Sequence, residues 1–156
     1  MISVKVEGLD EAVISIQGIK KALLSRAIMG RIAAQVSTDV KARTKEGKDV
    51  KGRKFAPYSP MYMIRKKARG GKFFKAGVVN LDDSGAMQAA IQWQVVNSRT
   101  ARIIFVDTEQ ALKAQGHQSG NRKRGLPQRQ FFGVGDREGR SINKILYAHL
   151  KRVTSG

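Results

Sequence analysis

The sequence predicts an α+β domain, with a long helix and a C-terminal helix packed on a small antiparallel sheet and a long basic loop or arm added to them. Three observations carry this expectation. From Lys20 to about Arg43, the residues Leu23, Leu24, Ala27, Ile28, Ile32, Val36 and Val40 recur at three- and four-residue steps, one stripe of an amphipathic helix. Ile91, Trp93 and Val95 alternate with polar residues, and after a turn at Asn97 to Thr100 a second run, Ala101 to Val106, returns as in a β-hairpin. In Asp136 to Arg152 a second helical stripe is made by Ile142, Ile145, Leu146, His149 and Leu150. The length, 156 residues, suits one domain covering 1–156 with a core of its own.

The remaining elements follow in order. Ser3 to Val6 reads as a short strand with Val4 and Val6 on one face, broken at Gly8. Asp10 can cap a short helix through about Gln17, ended by Gly18. Thr44 to Asn80 lacks periodicity and is punctuated by five glycines, Pro57 and Pro60, so 45–80 is expected to be an extended arm, unusual in a compact domain unless functional. Leu81 to Ala90 reads as a short helix capped by Asp82 or Ser84. Thr108 can cap another through about Ala114. Gln115 to Gln130 reads as a polar second loop, and Phe131 to Val134 as a short strand or extended segment.

Charge is the largest deviation in composition. Thirty Lys and Arg against twelve Asp and Glu give a net +18. Half of it falls in Thr44 to Asn80, where eleven basic residues oppose Glu46 and Asp49, a net +9. Such a chain repels itself unless an acidic partner is near, whether nucleic acid, a membrane surface or an acidic protein. No stretch approaches the roughly eighteen apolar residues of a membrane span, so no membrane partner is expected, and Met1 to Asp10 lacks the layout of a signal peptide.

Catalytic patterns are missing. The chain has no cysteine, hence no disulfide and no thiolate metal site. His117 and His149 have no metal-ligand spacing, and His149 on an apolar stripe reads as a packed histidine. Asp82 and Asp83 are adjacent, so they diverge on a helix. Gly133 and Gly135 are a fragment of a nucleotide-binding pattern whose remainder is absent. No enzyme, cofactor or metal is expected. The basic arm is the candidate instead: Phe55, Tyr58, Tyr62, Phe73 and Phe74 are interleaved with Lys45, Lys48, Lys51, Arg53, Lys54, Arg65, Lys66, Lys67 and Arg69. That mixture suits phosphate and base contacts, and equally a protein interface with aromatic anchors.

Four short motifs, in order, give the arm a context. Asp49, Gly52, Phe55, Pro57 and Ser59, followed by Tyr62 and Lys66, form the first. Leu81, Gly85 and Met87 precede the hairpin. Ala114, His117, Gln118 and Gly120 follow it, and Leu126, Pro127, Arg129, Phe131 and Phe132 precede the last helix. This order, over nearly the whole chain, resembles the phage virion-morphogenesis, or tail-completion, family of Mu-like and P2-like tailed phages. Two departures are Phe55, where many members have Trp, and the basic run Arg122, Lys123 and Arg124.

The resemblance implies a non-enzymatic virion protein of the neck or tail top. It implies a homo-oligomeric ring, often a hexamer, that joins head to tail after assembly in the host cytoplasm. The partners so implied are connector or head-completion proteins and tail-tube or tail-terminator proteins, with non-specific contact to genomic DNA in the channel. Under this reading Asp49, Gly52, Phe55, Pro57, Tyr58, Tyr62, Phe73, Phe74, Pro127, Arg129 and Phe131 are interface candidates. The arm cations, with Arg122, Lys123 and Arg124, meet DNA or an acidic partner, docking being favoured around Lys66. The Asp49–Gly52–Phe55 turn is expected to present Phe55, and the arm to become ordered only in the ring. The alternative is a basic nucleic-acid-binding protein without enzymatic activity.

Overall fold

A computed structural model describes residues 25–69, 77–81 and 83–154. The strand at Ser3 to Val6, the helix from Asp10, the first turn expected of the long helix, and Phe73, Phe74 and Asp82 lie outside them.

The long helix, α1 (Arg26–Lys45), starts where the Ser25 side chain accepts from the Ile28 N–H at 3.2 Å. Its stripe, Ile28, Ile32, Val36 and Val40, is buried as the periodicity predicts. Each such side chain contributes about 1.5–3 kcal/mol by leaving water. Next come α2 (Pro60–Ala68) and α3 (Ala86–Ala89), then the hairpin β1 (Ile91–Val95) and β2 (Ala101–Phe105). It is followed by α4 (Thr108–Ser119), a short 3₁₀ turn (Arg122–Arg124) and α5 (Asp136–Thr154).

β1 and β2 are antiparallel in the register Ile91↔Phe105, Trp93↔Ile103 and Val95↔Ala101. These residues lie on the face that packs against α1, while Gln92, Gln94 and Arg102 are exposed on the other. α5 packs on α1 and closes the core, to which Phe131 and Phe132 contribute rings 6.1 Å apart. Phe105 packs edge-on against Phe131 at 6.5 Å. The fold is α+β, with the hairpin packed against α1 and α1 against α5.

Several elements differ from their sequence reading. The 45–80 segment is no extended arm throughout: a closed turn at 48–54 leads to α2, which Ser59 caps and Pro60 begins. Apolar periodicity missed α2 because its single buried side chain is a lysine. α3 starts later than expected, on Gly85 at φ +84, with no side-chain cap. α4 begins at the Asp107 cap and runs to Ser119, through the first five residues of what reads as a polar loop. Phe131 to Val134 is neither strand nor straight: the chain bends at Phe132 and Gly133 and pairs with no strand among the described residues. It is held instead by side chains, as the next subsection shows.

Candidate protein-interaction site

Asp49 organises the turn that follows α1. One carboxylate oxygen accepts from the Lys51 and Arg53 N–H groups at 2.9 and 2.8 Å, and the other from Arg53 Nε at 2.9 Å. Burial raises the Asp49 pKa, but these donors and the Arg53 charge outweigh it and hold the carboxyl below its ordinary range. Gly52 takes φ +77, which L side chains rarely adopt. The turn is stitched down by Val50 N–H donating to the Gln130 carbonyl and Phe55 N–H to that of Gly47, each at 2.8 Å. It does not present Phe55, which is only 7% exposed and joins the core. An aromatic ring has far more to gain from burial in the apolar core than from solvent.

The next layer lies under α2. Arg129 Nε and one terminal nitrogen donate to the Ala56 and Pro57 carbonyls, each at 2.9 Å. Its guanidinium lies 5.1 Å from the centre of the Tyr58 ring, and Lys66 Nζ lies 5.0 Å from that ring. Lys66 also donates to Asn80 Oδ1 at 2.9 Å, and the Tyr58 hydroxyl accepts from the Leu81 N–H at 3.1 Å. Leu81 is the one described non-glycine residue at positive φ, +50, and the Tyr58 hydroxyl holds it there. Burial pushes Tyr58 up to about 12, against the Leu81 hydrogen bond that lowers it. Burial also lowers Arg129, which the Tyr58 oxygen partly offsets.

The third motif supports this layer from α4. Gln118 pairs with the Phe132 backbone through both amide atoms, Nε2 to the carbonyl at 2.9 Å and Oε1 from the N–H at 3.1 Å. It does the work of a neighbouring strand for the 131–134 segment. The Arg129 N–H donates to the His117 carbonyl at 2.7 Å. His117 Nδ1 is buried with no hydrogen-bond partner among the described residues. Burial, and then the Arg129 charge, pull His117 down to about 4. At Gly120, φ +69, a Cβ would meet the Gln128 nitrogen at 2.8 Å. Beneath everything, Arg43 on α1 donates to Glu138 Oε2 at 2.6 Å and to the Phe131 carbonyl at 2.7 Å, and Glu138 accepts from the Gly135 N–H. That buried pair joins both long helices to the 131–135 segment.

Several expected interface residues are therefore internal. Asp49, Phe55, Arg129 and Phe131 are buried, and so is Lys66, at 4% exposure. An ammonium is tolerated there because an amide oxygen and a ring face replace its water. Tyr58 is half-buried, Pro127 partly so. The structure brings the first, third and fourth motifs together as one platform that holds α2.

What reaches solvent is α2 itself. Met61 and Ile64 are 60% and 64% exposed and share a helix face with Ala68. Tyr62 is half-exposed, its ring 4.7 Å from that of Tyr58. Arg65, Lys67 and Arg69 surround them. Met61 and Ile64 had no signal in the sequence, where they read as part of an arm rather than of a helix face. Lys45, Lys48, Lys51, Arg53, Lys54, Arg122, Lys123 and Arg124 are also exposed. Lys48 pairs with Glu46 and Arg69 with Asp83, while the 122–124 cations form no ion pair among the described residues.

Among the described residues no group of three His, Asp or Glu side chains is placed to hold a metal, and no helix is long and apolar enough to cross a membrane. Among the described residues the partly buried His117 lies near the Arg129 cation, which lowers its pKa. No curated protein and no solved structure shows significant similarity to the chain. One family model does match, that described as the phage virion morphogenesis family, over residues 4–151.

Proposed function

The chain belongs to the phage virion morphogenesis family, and from that premise we propose that it is a structural neck or tail-completion subunit. In this reading it forms a homo-oligomeric ring at the head–tail junction or tail top and is required for head–tail joining. It performs no catalysis. Its further partners are connector or head-completion proteins and tail-tube or tail-terminator proteins.

The observation that carries the reading is α2, an exposed apolar helix face ringed by cations on a rigid platform. Met61 and Ile64 gain nothing from solvent, and adjacent apolar residues this exposed on one face of a short helix, rimmed by cations, suit a covered surface. The Arg65, Lys67 and Arg69 rim favours an acidic rather than a neutral partner surface. A nearby pair of substitutions tests it. Met61→Glu with Ile64→Glu is expected to leave the melting temperature unchanged while abolishing ring formation or head–tail joining in complementation. Normal joining by that variant would refute it.

The nucleic-acid reading has one observation of its own, the exposed Arg122–Lys123–Arg124 turn, whose cations form no ion pair among the described residues. Contact with the genome in a channel would be weak and diffuse. A DNA-binding protein would instead show sub-micromolar affinity with a steep salt slope, and that measurement separates the two.

A further inference from the structure

Of the buried arginines Arg43 and Arg129, one has a counter-ion and the other has none. Arg43 meets Glu138 at 2.6 Å. Arg129 is just as buried, at 3% exposure, yet no carboxylate pairs with it among the described residues. The Ala56 and Pro57 carbonyls occupy its Nε and one terminal nitrogen, and the guanidinium lies over the Tyr58 ring. These partners are neutral. They satisfy hydrogen bonds but leave a full positive charge in a poorly solvated place, where charges are normally paired. The other terminal nitrogen has no hydrogen-bond partner among the described residues. The charge is felt nearby: after burial, Arg129 is what holds His117 down.

Arg129 borders a polar hollow of about 290 Å³, open to solvent. Gln128, Arg129 and Gln130 line it from one segment, and Asp49, Arg53 and Lys54 from the turn. Asp49 is already neutralised, by Arg53 at 2.9 Å and by the Lys51 and Arg53 N–H groups. Lys54 is exposed and forms no ion pair among the described residues. Two cations without a counter-charge, Arg129 and Lys54, thus share one concave surface with no free carboxylate on it.

We propose that this hollow is an anion site, in which Arg129 and Lys54 hold a carboxylate from an acidic protein partner. A charge-assisted hydrogen bond to the remaining guanidinium nitrogen supplies the counter-ion that the fold omits. An Asp or Glu side chain reaches into a concavity from its own backbone, whereas the phosphates of a duplex lie along a stiff rod that bridges it. The protein source of the carboxylate rests on the docking reading above; the anion site itself does not.

Acetate tests the site in the full chain at pH 7, without any partner. In NMR spectra the Arg129 Nε–H and the Gln128 and Gln130 backbone N–H signals are expected to shift and saturate with sodium acetate, and not with sodium chloride at equal ionic strength. Lys54→Gln, at an exposed position, should weaken that binding about 3–5-fold while the rest of the spectrum stays as in the wild type. A Glu-rich peptide should move the same signals and be displaced by acetate, and a duplex oligonucleotide of equal charge should leave the Arg129 Nε–H where it is. Four results would each overturn the proposal: acetate shifts that match chloride, acetate binding unchanged in Lys54→Gln, a peptide that leaves Arg129 untouched, or a duplex that engages Arg129 in its place. Met61→Glu with Ile64→Glu should leave acetate binding intact, so failure of the α2 reading and failure of this one are told apart.

Discussion

Lowering the pH from about 7.5 is expected to weaken the fold through His117 before the carboxylates titrate. The ring is partly buried, its Nδ1 is buried with no partner among the described residues, and the Arg129 charge is nearby, so the folded chain takes up a proton only near pH 4, against 6.5 for an ordinary histidine. The folded pKa is depressed, so the unfolded chain binds the extra proton first. Stability is therefore full above 6.5 and is lost as the pH falls from 6.5 towards 4. From those two values the loss is about 1.4 kcal/mol at pH 5.5 and about 2.5 kcal/mol at pH 4.5. Urea unfolding at several pH values, in parallel for the wild type and His117→Gln, isolates the effect, since every other group titrates in both. The variant should lack this slope. Equal slopes in the two proteins would refute the reasoning, and would mean that water or a partner satisfies the imidazole.

Other perturbations probe the platform. Glu138→Ala should cost about 3–5 kcal/mol in urea unfolding because Arg43 is left buried and unpaired, and Arg43→Met added to Glu138→Leu should recover much of that loss. Lys66→Glu should cost more than about 2 kcal/mol, since it opposes a carboxylate to Asn80 Oδ1 and the Tyr58 ring, whereas Lys67→Glu should stay within about 0.5 kcal/mol in the same assay. Gly135→Ala should lower the melting temperature by several degrees, because its Cβ would overlap the Val50 carbonyl oxygen.

The difference between Lys66 and Lys67 shows where the sequence stops being informative. In a run of basic residues the two are alike, and both read as contacts for an acidic partner. Only the approach of Tyr58 and Asn80 makes one internal and leaves the other on the rim. Phe55 was misread for a related reason: the turn chemistry of Asp49 and Gly52 is local and legible, but whether the following ring is buried depends on a core built from residues distant in the chain.

What the sequence determined by itself is what depends on neighbours within a few residues. That covers the stripe of α1, the hairpin and its register-setting alternation, the stripe of α5, and a strongly basic net charge. The order of its four motifs also carried the family. Tertiary structure decided the rest. It alone closed Arg43 onto Glu138, stacked Arg129 on Tyr58, let Gln118 stand in for a strand beside Phe132, and turned Met61 and Ile64 outward. The physical reason is that the burial of a polar group is set by partners many residues away, and side-chain type and spacing do not encode where those partners fall.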